Sequence, residues 1–310
     1  MEKSDCKTDA SSRRNKRLVL TIRQQRFIDG AVFIGPSCVM FVLLFLIPVV
    51  SEFLYSFTNW NGVDPTFDIL WFANYRRAFQ DGTFWTSMWF TVKFSVCVVV
   101  ASNVLAFFWA YILSKDIPFR NFFRAAIYVP RIIGGVILGY LWRFIFQEAF
   151  VQFGNATGLA WFAQDWFTTP ESSFWALVIV MTWTLSGYLM LIYSAGLSSI
   201  DRGYYEAATI DGASKLRQLK DVTLPMMRAT ITRCLFIAIN WAMCLYDTNI
   251  SLTSGNPFRS SEGVTMNIYQ TAFRSKQIGY GSAKSMIFVV ILVAIAFAQI
   301  RLTSRKEVQL

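Results

Sequence analysis

The chain has 310 residues, of which 55% are apolar, 17% aromatic and 15% charged, and this composition is too apolar for an ordinary soluble domain of its length. It contains no histidine, which excludes Ser-His-Asp and Cys-His catalytic relays and histidine-ligated zinc or haem. The formal net charge of +10 raises the possibility of a nucleic-acid partner, but no base-stacking motif accompanies the basic residues.

Six long apolar runs follow a basic amino-terminal tail. The tail, residues 1–27, is rich in Ser, Lys and Arg and is predicted to be disordered or to lie on anionic lipid headgroups. Each run supplies the ~20 helical residues that cross ~30 Å of hydrocarbon, and the first is too long for a signal-peptide core. The pattern predicts an all-α integral membrane protein with six transmembrane helices, a membrane domain over 28–302 and a short tail, 303–310. The six runs are 31–57, 84–113, 122–146, 174–198, 229–249 and 282–301.

Basic residues are distributed unevenly between the loops. With a cytoplasmic amino terminus, the cytoplasmic segments hold twenty Lys and Arg residues, whereas the opposite side holds five. Cytoplasmic loops of membrane proteins carry such an excess, so both termini are predicted to be cytoplasmic, and the asymmetry accounts for the net positive charge. The five residues on the opposite side are Arg76, Arg77, Arg259, Arg274 and Lys276.

Two loops on the outer side are rich in aromatic residues. Such residues are typical of an interfacial belt, which is the prediction here, and a docking or sugar-stacking surface is the alternative. The first loop contains Trp60, Phe67, Trp71, Phe72 and Tyr75, and the second contains Trp161, Phe162, Trp166 and Phe167.

Several ionisable residues fall within the predicted spans, where a charge is costly and therefore a functional candidate. Glu52, Arg143 and Asp247 lie close to the span boundaries and are predicted to have structural roles. Lys93 and Arg131 lie deeper, and they either face a wet translocation cavity or pair with a carboxylate.

The loop between the fourth and fifth spans, residues 199–226, is a long polar segment on the cytoplasmic side. Asp201 is a suitable N-cap, the segment 204–210 is predicted to form a short helix, and Gly212 allows a turn. A second helix is expected to follow, ending before the fifth span at Leu224-Pro225. Its predicted apolar stripe consists of Ala213, Leu216 and Leu219.

The first of these helices has the composition of a protein-docking element. Ala207 and Ala208 are small enough for another backbone to approach closely, and Glu206 beside them offers one directional contact. An interfacial amphipathic helix is the alternative, but Lys220 interrupts the apolar stripe of the second helix.

The spacing of the motifs in this loop resembles the EAA loop of ABC importer permeases. In that family the loop carries Glu-Ala-Ala, three residues, Gly, nine residues and Ile-x-Leu-Pro, and Val222 takes the place of Ile here. The chain departs from the pattern at Asp201, where proline is usual, and at Leu216 and Leu219, where aromatic residues are common. The resemblance implies that the loop is a coupling helix that docks on an ATPase. The residues that it assigns to coupling are Glu206, Ala207, Ala208, Asp211, Gly212, Ala213, Leu216, Leu224 and Pro225.

Further segments over about residues 30–302 resemble the carbohydrate-uptake branch of these permeases, of the maltose and glycerol-3-phosphate type. They include 119–130, 139–143, 195–197 and the turn Thr253-Ser254-Gly255-Asn256-Pro257. The resemblance implies a type I ABC importer permease fold in the bacterial cytoplasmic (inner) membrane and no enzymatic activity in this chain. It also implies a second, different permease subunit, two cytoplasmic ATPase subunits that bind ATP and Mg²⁺, and an extracytoplasmic sugar-binding protein. This chain itself is expected to bind membrane lipid but no cofactor or metal.

A neutral sugar is bound by aromatic faces and by amide or carboxylate hydrogen bonds, and the fourth and fifth spans offer both. Helix packing is the alternative role for each of these residues. The candidate residues for the substrate pathway are Trp183, Tyr188, Asn240, Trp241, Tyr246 and Asp247.

Two local motifs have simpler interpretations than their first appearance indicates. Residues 279–285 place glycines before Lys-Ser, but they lack Gly before the lysine and follow no strand, so a phosphate loop is rejected. Gly135 and Gly139 form a GxxxG pattern, which predicts close helix packing.

Alternative functions remain open from the residues alone. An ion-coupled secondary transporter carries carboxylates near the middle of the membrane, whereas the acidic residues here lie near span boundaries. A membrane enzyme that transfers glycosyl or lipid groups needs clustered acids or a metal site, and the sequence has no DxD pair. An ABC permease for a non-sugar solute, such as glycerol-3-phosphate, is the third alternative.

Overall fold

The computed structural model describes residues 22–115 and 117–304. Most of the predicted tail 1–27 and the last six residues of the predicted tail 303–310 lie outside this part of the chain. Within the described residues the regular structure is helical, apart from one isolated antiparallel bridge between Thr58 and Ile69.

Sixteen α-helices occur in the described part of the chain. Each of four π-helical segments directly follows an α-helix in the chain. They are Val42–Leu46, Ile145–Ala149, Leu219–Thr223 and Gln270–Arg274. The α-helices are α1 (Ile22–Phe41), α2 (Ile47–Tyr55), α3 (Ala73–Gln80), α4 (Gly82–Leu113), α5 (Arg120–Ile132), α6 (Gly135–Phe144), α7 (Phe150–Thr157), α8 (Ala160–Ala163), α9 (Pro170–Ser198), α10 (Arg202–Ile210), α11 (Lys215–Gln218), α12 (Leu224–Met226), α13 (Arg228–Met243), α14 (Asp247–Leu252), α15 (Val264–Tyr269) and α16 (Ile278–Ser304).

Four helical stretches are long and apolar enough to cross a membrane, and up to six are present if each of two bent helix pairs counts as one span. The four agree with the first, second, fourth and sixth predicted runs to within about four residues at each end. They are Val32–Tyr55, Gly82–Leu113, Pro170–Ser198 and Ile278–Thr303.

The chain divides into two compact units, residues 1–52 and 53–310. The described part of the first unit is a helical stretch in which α1 contains Pro36 and passes through the π-helical segment into α2. The second unit contains the remaining helices, and all packing described below lies within it.

The prediction of a single helix over 122–146 is wrong. Helix α5 ends at Ile132, and the helical segments Arg120–Ile132 and Gly135–Thr157 meet at 100°. Ile133 and Gly134 adopt extended backbone angles between them, shortly after Pro130, which has no N–H for the helical ladder. Averaged hydropathy does not detect such a break because the residues on both sides are apolar.

The fifth predicted run, 229–249, also contains a break. Helix α13 ends at Met243, and the chain leaves the helix before α14 begins at Asp247. At its other end, α13 meets the preceding helical segment Lys215–Met226 at 70°. Tyr246 and Asp247 therefore do not lie on the same helix as Asn240 and Trp241.

Helices α4 and α9 form the centre of the packed core. Phe94 and Leu177 are fully buried in it, and Phe90 meets Phe174 edge-on with ring centroids 5.8 Å apart. The Tyr193 hydroxyl donates a hydrogen bond of 2.8 Å to Asn103 Oδ1 and so satisfies a polar pair between the two helices.

The aromatic residues of the second outer loop do not all form an interfacial belt. Trp166 is 1% exposed, and its ring centroid lies 4.7 Å from those of Phe146 and Trp161. The belt prediction is wrong for Trp166, because this side chain packs against neighbouring helices instead of facing a membrane surface.

Candidate functional site

The first half of the 199–226 loop folds as predicted. The Asp201 carboxylate accepts a hydrogen bond of 2.7 Å from the Gly203 N–H and caps α10. After α10 the chain turns at Gly212, whose φ of +74° favours glycine. The N–H of Ala213 then donates to the carbonyl of Ala208 at 2.9 Å, which closes the carboxyl end of the helix.

The second half of the loop differs from the prediction. Helix α11 begins after Ser214 and continues through the π-helical segment into α12, so the chain remains helical across Leu224-Pro225. The residue before a proline is biased against helical angles but not barred from them, and Leu224 adopts φ −62° and ψ −41°. The break instead falls at Met227, between α12 and α13.

The predicted stripe of Ala213, Leu216 and Leu219 is also wrong. Ala213 precedes the helix, and Leu216 is 76% exposed. The buried side chain is Gln218, whose Nε2 donates to Thr209 Oγ1 at 3.0 Å and to the Ala213 carbonyl at 3.3 Å. Gln218 thus joins the two halves of the loop, and its only sequence signal is that it is the one uncharged polar residue between Lys215 and Asp221.

The residues assigned to coupling fall mainly on the exposed surface of this loop. Ile210 is 87% exposed and, like Leu216, presents a large apolar side chain to solvent. Such apolar side chains on a polar, hydrogen-bonded scaffold provide a surface that another protein can cover. Glu206, Ala207, Asp211, Gly212, Leu216 and Leu224 are exposed, whereas Ala208, Ala213 and Pro225 are half-buried.

A cleft lies where the α5–α6 break meets the α13–α14 break. Its volume is about 270 Å³. The broken helices place Arg131 on one wall and Trp241, Tyr246 and Asp247 on the other. Three of the six substrate-pathway candidates, Trp241, Tyr246 and Asp247, therefore line one cavity. From the sequence, they are predicted to lie on continuous spans.

Arg131 faces this cleft and stacks on aromatic rings. Its guanidinium carbon lies 3.7 Å from the ring centroid of Trp241 and 5.6 Å from that of Tyr188. A cation over an aromatic face is stabilised by the ring quadrupole, and the edge of the guanidinium keeps its donors. Of the two alternatives stated for Arg131, the structure supports the cavity, since Arg131 forms no ion pair with a carboxylate of the described residues.

The remaining candidates do not line the cleft. Trp183 packs edge-on against Trp142 with centroids 5.3 Å apart. Asn240 is exposed on α13 away from the lining residues. Lys93 is also exposed, and its ammonium lies 5.9 Å from the centre of the Trp89 ring.

The GxxxG pattern forms one side of the cleft by packing α6 closely on α14, as the sequence predicts. A Cβ on Gly135 would lie 2.9 Å from Cβ of Asp247, and a Cβ on Gly139 would lie 2.8 Å from Cβ of Ser251. Real Cβ atoms do not approach so closely, so only glycine permits this contact.

We expect Gly139→Ala to destabilise the protein by about 1–3 kcal/mol, because the added methyl group overpacks the contact with Ser251. Gly139→Ala combined with Ser251→Gly should recover part of this loss. Thermal unfolding of the purified protein measures both effects. Gly82→Ala is the matched control because a Cβ there meets no atom within 4 Å. Equal melting temperatures for Gly139→Ala and Gly82→Ala would contradict the packing interpretation.

A buried ion pair joins the start of α4 to the start of α16. Lys284 is 2% exposed, and its ammonium contacts Asp81 Oδ2 at 2.8 Å, Asn267 Oδ1 at 2.9 Å and Thr271 Oγ1 at 3.0 Å. The Tyr280 hydroxyl donates to the same carboxylate oxygen at 2.8 Å. Lys284 belongs to the rejected phosphate-loop motif, which in the structure is the first part of α16. The sequence prediction missed its structural role.

Asp81 serves both this ion pair and the amino terminus of α4. Its Oδ1 accepts hydrogen bonds from the N–H groups of Thr83 and Phe84, at 3.0 Å and 3.2 Å. Burial acts to raise the pKa of Asp81, but the hydrogen bonds from Lys284, Thr83, Tyr280 and Phe84 outweigh it and hold the pKa well below its usual range. Asp81 therefore remains charged at neutral pH.

Comparison with known proteins identifies the family. Residues 102–307, more than half of the chain, match the family described as "Binding-protein-dependent transport system inner membrane component". The probable starch degradation products transport system permease protein AmyD of Thermoanaerobacterium thermosulfurigenes is 39% identical over 280 residues, which cover 90% of this chain and 95% of that protein. The multiple sugar-binding transport system permease protein MsmF of Streptococcus mutans is 28% identical, over 90% of this chain and 96% of that protein.

A solved structure of an ABC transporter has a chain with a similar fold. A crystal structure of a bacterial ABC transporter involved in the import of the acidic polysaccharide alginate includes a chain that superposes with a TM-score of 0.78 at 18% identity, over 92% of this chain and 97% of that one. The family match and the 39% identity to AmyD confirm the family predicted from the EAA spacing, and the superposed structure shows the same fold. This chain belongs to the inner membrane components of binding-protein-dependent transport systems, the permeases of ABC importers.

Proposed function

We propose that this chain is one transmembrane subunit of an ATP-driven sugar importer, which forms the translocation pathway and couples it to a separate ATPase. The observation that carries the proposal is the 39% identity to AmyD over nearly the whole chain, because that relative is named for transport of starch degradation products. An oligosaccharide is accordingly the substrate class that we favour.

The proposed topology has six spans, with each bent helix pair counted as one span and both termini in the cytoplasm. The distribution of Lys and Arg between the loops supports this orientation. The 199–226 loop then projects on the cytoplasmic side of a bacterial inner membrane, where two ATPase subunits binding ATP and Mg²⁺ are expected. A second permease subunit of different sequence and an extracytoplasmic sugar-binding protein complete the proposed assembly.

Contacts within the fold support a mechanical connection from this loop to the cleft. Gln218 holds α11 against α10, and the Tyr205 hydroxyl lies 3.1 Å from Thr223 Oγ1, so the loop is braced at two points. Beyond the bend at Met227, α13 runs to Trp241 at the cleft. A displacement of the docked loop would therefore move α13 as a unit and change the wall of the cleft.

The cleft also supports a second candidate substrate, a sugar or polyol with an anionic group. Arg131 keeps guanidinium donors at the cleft without a carboxylate partner from the described residues, and such donors bind carboxylates and phosphates in a bidentate manner. Asp247 on the opposite wall favours hydroxyl donors instead. A neutral oligosaccharide uses Trp241 and Asp247, whereas an anionic one also uses Arg131.

Reconstitution of the chain with its partner subunits in proteoliposomes tests these proposals. We expect uptake that requires ATP and the ATPase subunits, measured across neutral oligosaccharides, uronic-acid oligosaccharides and glycerol-3-phosphate. Arg131→Gln should lower uptake of an anionic substrate about tenfold or more while changing uptake of a neutral one less, because only the former loses a charge-assisted contact. Trp183→Phe, at a position outside the cleft, is the control. Sugar uptake by the chain without any ATPase would overturn the proposed function.

A further inference from the structure

A second cavity lies between the helix ends and the 199–226 loop. Its volume is about 690 Å³, and it is lined by residues from the end of α4, the start of α5, the end of α9 and the 199–226 loop. We call it the loop-end cavity. Its loop side includes Arg202, Tyr205, Lys215, Gln218 and Thr223. The exposed residues assigned to ATPase coupling, such as Ala207 and Asp211, do not line it.

The loop-end cavity is strongly basic. Its lining includes Lys115, Arg120, Arg202 and Lys215, which come from three separate segments of the chain, and it includes no acidic residue among the described ones. Lys115, Arg202 and Lys215 form no ion pair with a carboxylate of the described residues. Lys115 lies with its ammonium 5.2 Å from the centre of the Tyr111 ring, which keeps this cation at the cavity wall. Like charges from three segments repel one another, so a site that gathers them is stabilised by an anion.

The structure also ties together the two helices whose ends contribute Lys115 and Arg120 to the cavity, and exposed apolar side chains flank Arg120 in the chain. The Arg124 guanidinium donates a hydrogen bond of 3.0 Å to the Leu113 carbonyl, which ties α5 to the end of α4. Phe119 and Phe122, on either side of the basic Arg120, are 81% and 69% exposed. Large apolar side chains next to a cluster of cations match a ligand that has an anionic headgroup and hydrocarbon chains.

We propose that the loop-end cavity binds the phosphate group of an anionic phospholipid. A monophosphate fills only a small part of 690 Å³, whereas a glycerophosphate headgroup occupies more of it and its acyl chains lie against Phe119 and Phe122. Basic pockets between transmembrane helices bind such headgroups. The lipid would lie directly beneath the braced 199–226 loop, so the occupied cavity would hold Lys115, just after the end of α4, close to Arg202 and Lys215 on that loop. This inference does not depend on which solute is transported.

Lipid retention by the full chain tests the proposal without any partner subunit. The purified protein is titrated with phosphatidylglycerol, cardiolipin or phosphatidylcholine, and bound lipid is counted by native mass spectrometry. The test variant is Lys115→Gln/Arg202→Gln/Lys215→Gln. The control variant, Lys220→Gln/Arg233→Gln/Arg301→Gln, removes the same charge from residues outside the cavity. Wild type and control should retain the anionic lipids at least about tenfold more strongly than phosphatidylcholine, and the test variant should lose this preference.

Competition with inorganic phosphate distinguishes a phospholipid headgroup from a free phosphate ion as the ligand of the cavity. If millimolar phosphate displaces the anionic lipid from wild type and from the control variant, both of which keep Lys115, Arg202 and Lys215, the site recognises the phosphate group of the lipid, as proposed. If inorganic phosphate binds wild type as tightly as the lipid does, the ligand is the free ion, and the proposal of a phospholipid is overturned. Equal retention of anionic lipid by the test and control variants would overturn the proposal, as would equal retention of phosphatidylcholine by wild type.

Discussion

Gly212→Val should leave the protein in the membrane but lower ATP-driven uptake by the reconstituted importer about five- to thirtyfold. Gly212 has φ +74°, and a Cβ there would meet no atom within 4 Å, so we expect the effect to arise from backbone conformation. The left-handed conformation costs an L-residue about 1–2 kcal/mol, and it costs a β-branched residue more. A cost of this size lowers the population of the observed turn about five- to thirtyfold. The measurement is uptake together with copurification of the ATPase.

Gly212→Asn is the matched control, since asparagine adopts the left-handed conformation more readily than other residues with a side chain. It should retain most of the uptake. Glu206→Arg provides an independent change on the same surface, because it reverses the charge of an exposed side chain without altering the turn. If Gly212→Val and Glu206→Arg both keep full uptake and full copurification of the ATPase, the 199–226 loop does not couple the two subunits.

The sequence predicted the first half of this loop accurately because local chemistry determines it. An N-cap aspartate and a glycine with positive φ act through their immediate neighbours, and both appear directly in the sequence. The second half depends on a tertiary contact, the hydrogen bonds of Gln218 to α10 and the turn. Helical spacing alone assigned Leu216 to an apolar stripe of the second helix, whereas tertiary packing buries Gln218 and exposes Leu216.

The cleft likewise combines features that the sequence predicts with features that depend on tertiary contacts. Composition and run length were sufficient to predict the four uninterrupted helices that are long and apolar enough to cross a membrane. They were not sufficient to locate the breaks at Ile133-Gly134 and after Met243, because both occur among apolar residues. These breaks bring Arg131 to Trp241, and a contact between two broken helices has no signal in either segment alone.

Asp81→Asn should destabilise the protein by about 3–5 kcal/mol, because it leaves the ammonium of Lys284 buried without a compensating charge. Asparagine retains the ability to cap α4, so the change isolates the loss of the carboxylate charge. Lys284→Met in the same background should recover most of the stability, since a methionine is readily buried at that position. Chemical unfolding of the purified protein measures the free energy of each variant and of the double variant.

The exposed pair of Arg217 and Asp221 is the matched control. Its atoms are 3.4 Å apart, and its side chains are 71% and 54% exposed. Solvent screens such a pair, so Asp221→Asn should change the free energy of unfolding by less than about 1 kcal/mol. A loss for Asp81→Asn no larger than that for Asp221→Asn would show that the Asp81–Lys284 pair contributes nothing beyond an ordinary surface contact.

The pH dependence of stability provides a further test of the same pair. The pKa of Asp81 is lower in the folded protein than the value of about 4 in an unfolded chain, so its contribution is present above that pH. The contribution is lost as the pH falls below about 4, because the unfolded chain then binds a proton that the folded protein does not. In Lys284→Met the principal partner of the carboxylate is absent, so the pKa of Asp81 should lie closer to its unfolded value. The stability of this variant should consequently decline less steeply between about pH 5 and pH 3 than that of wild type. Parallel curves for the two proteins would mean that Lys284 does not determine the charge state of Asp81.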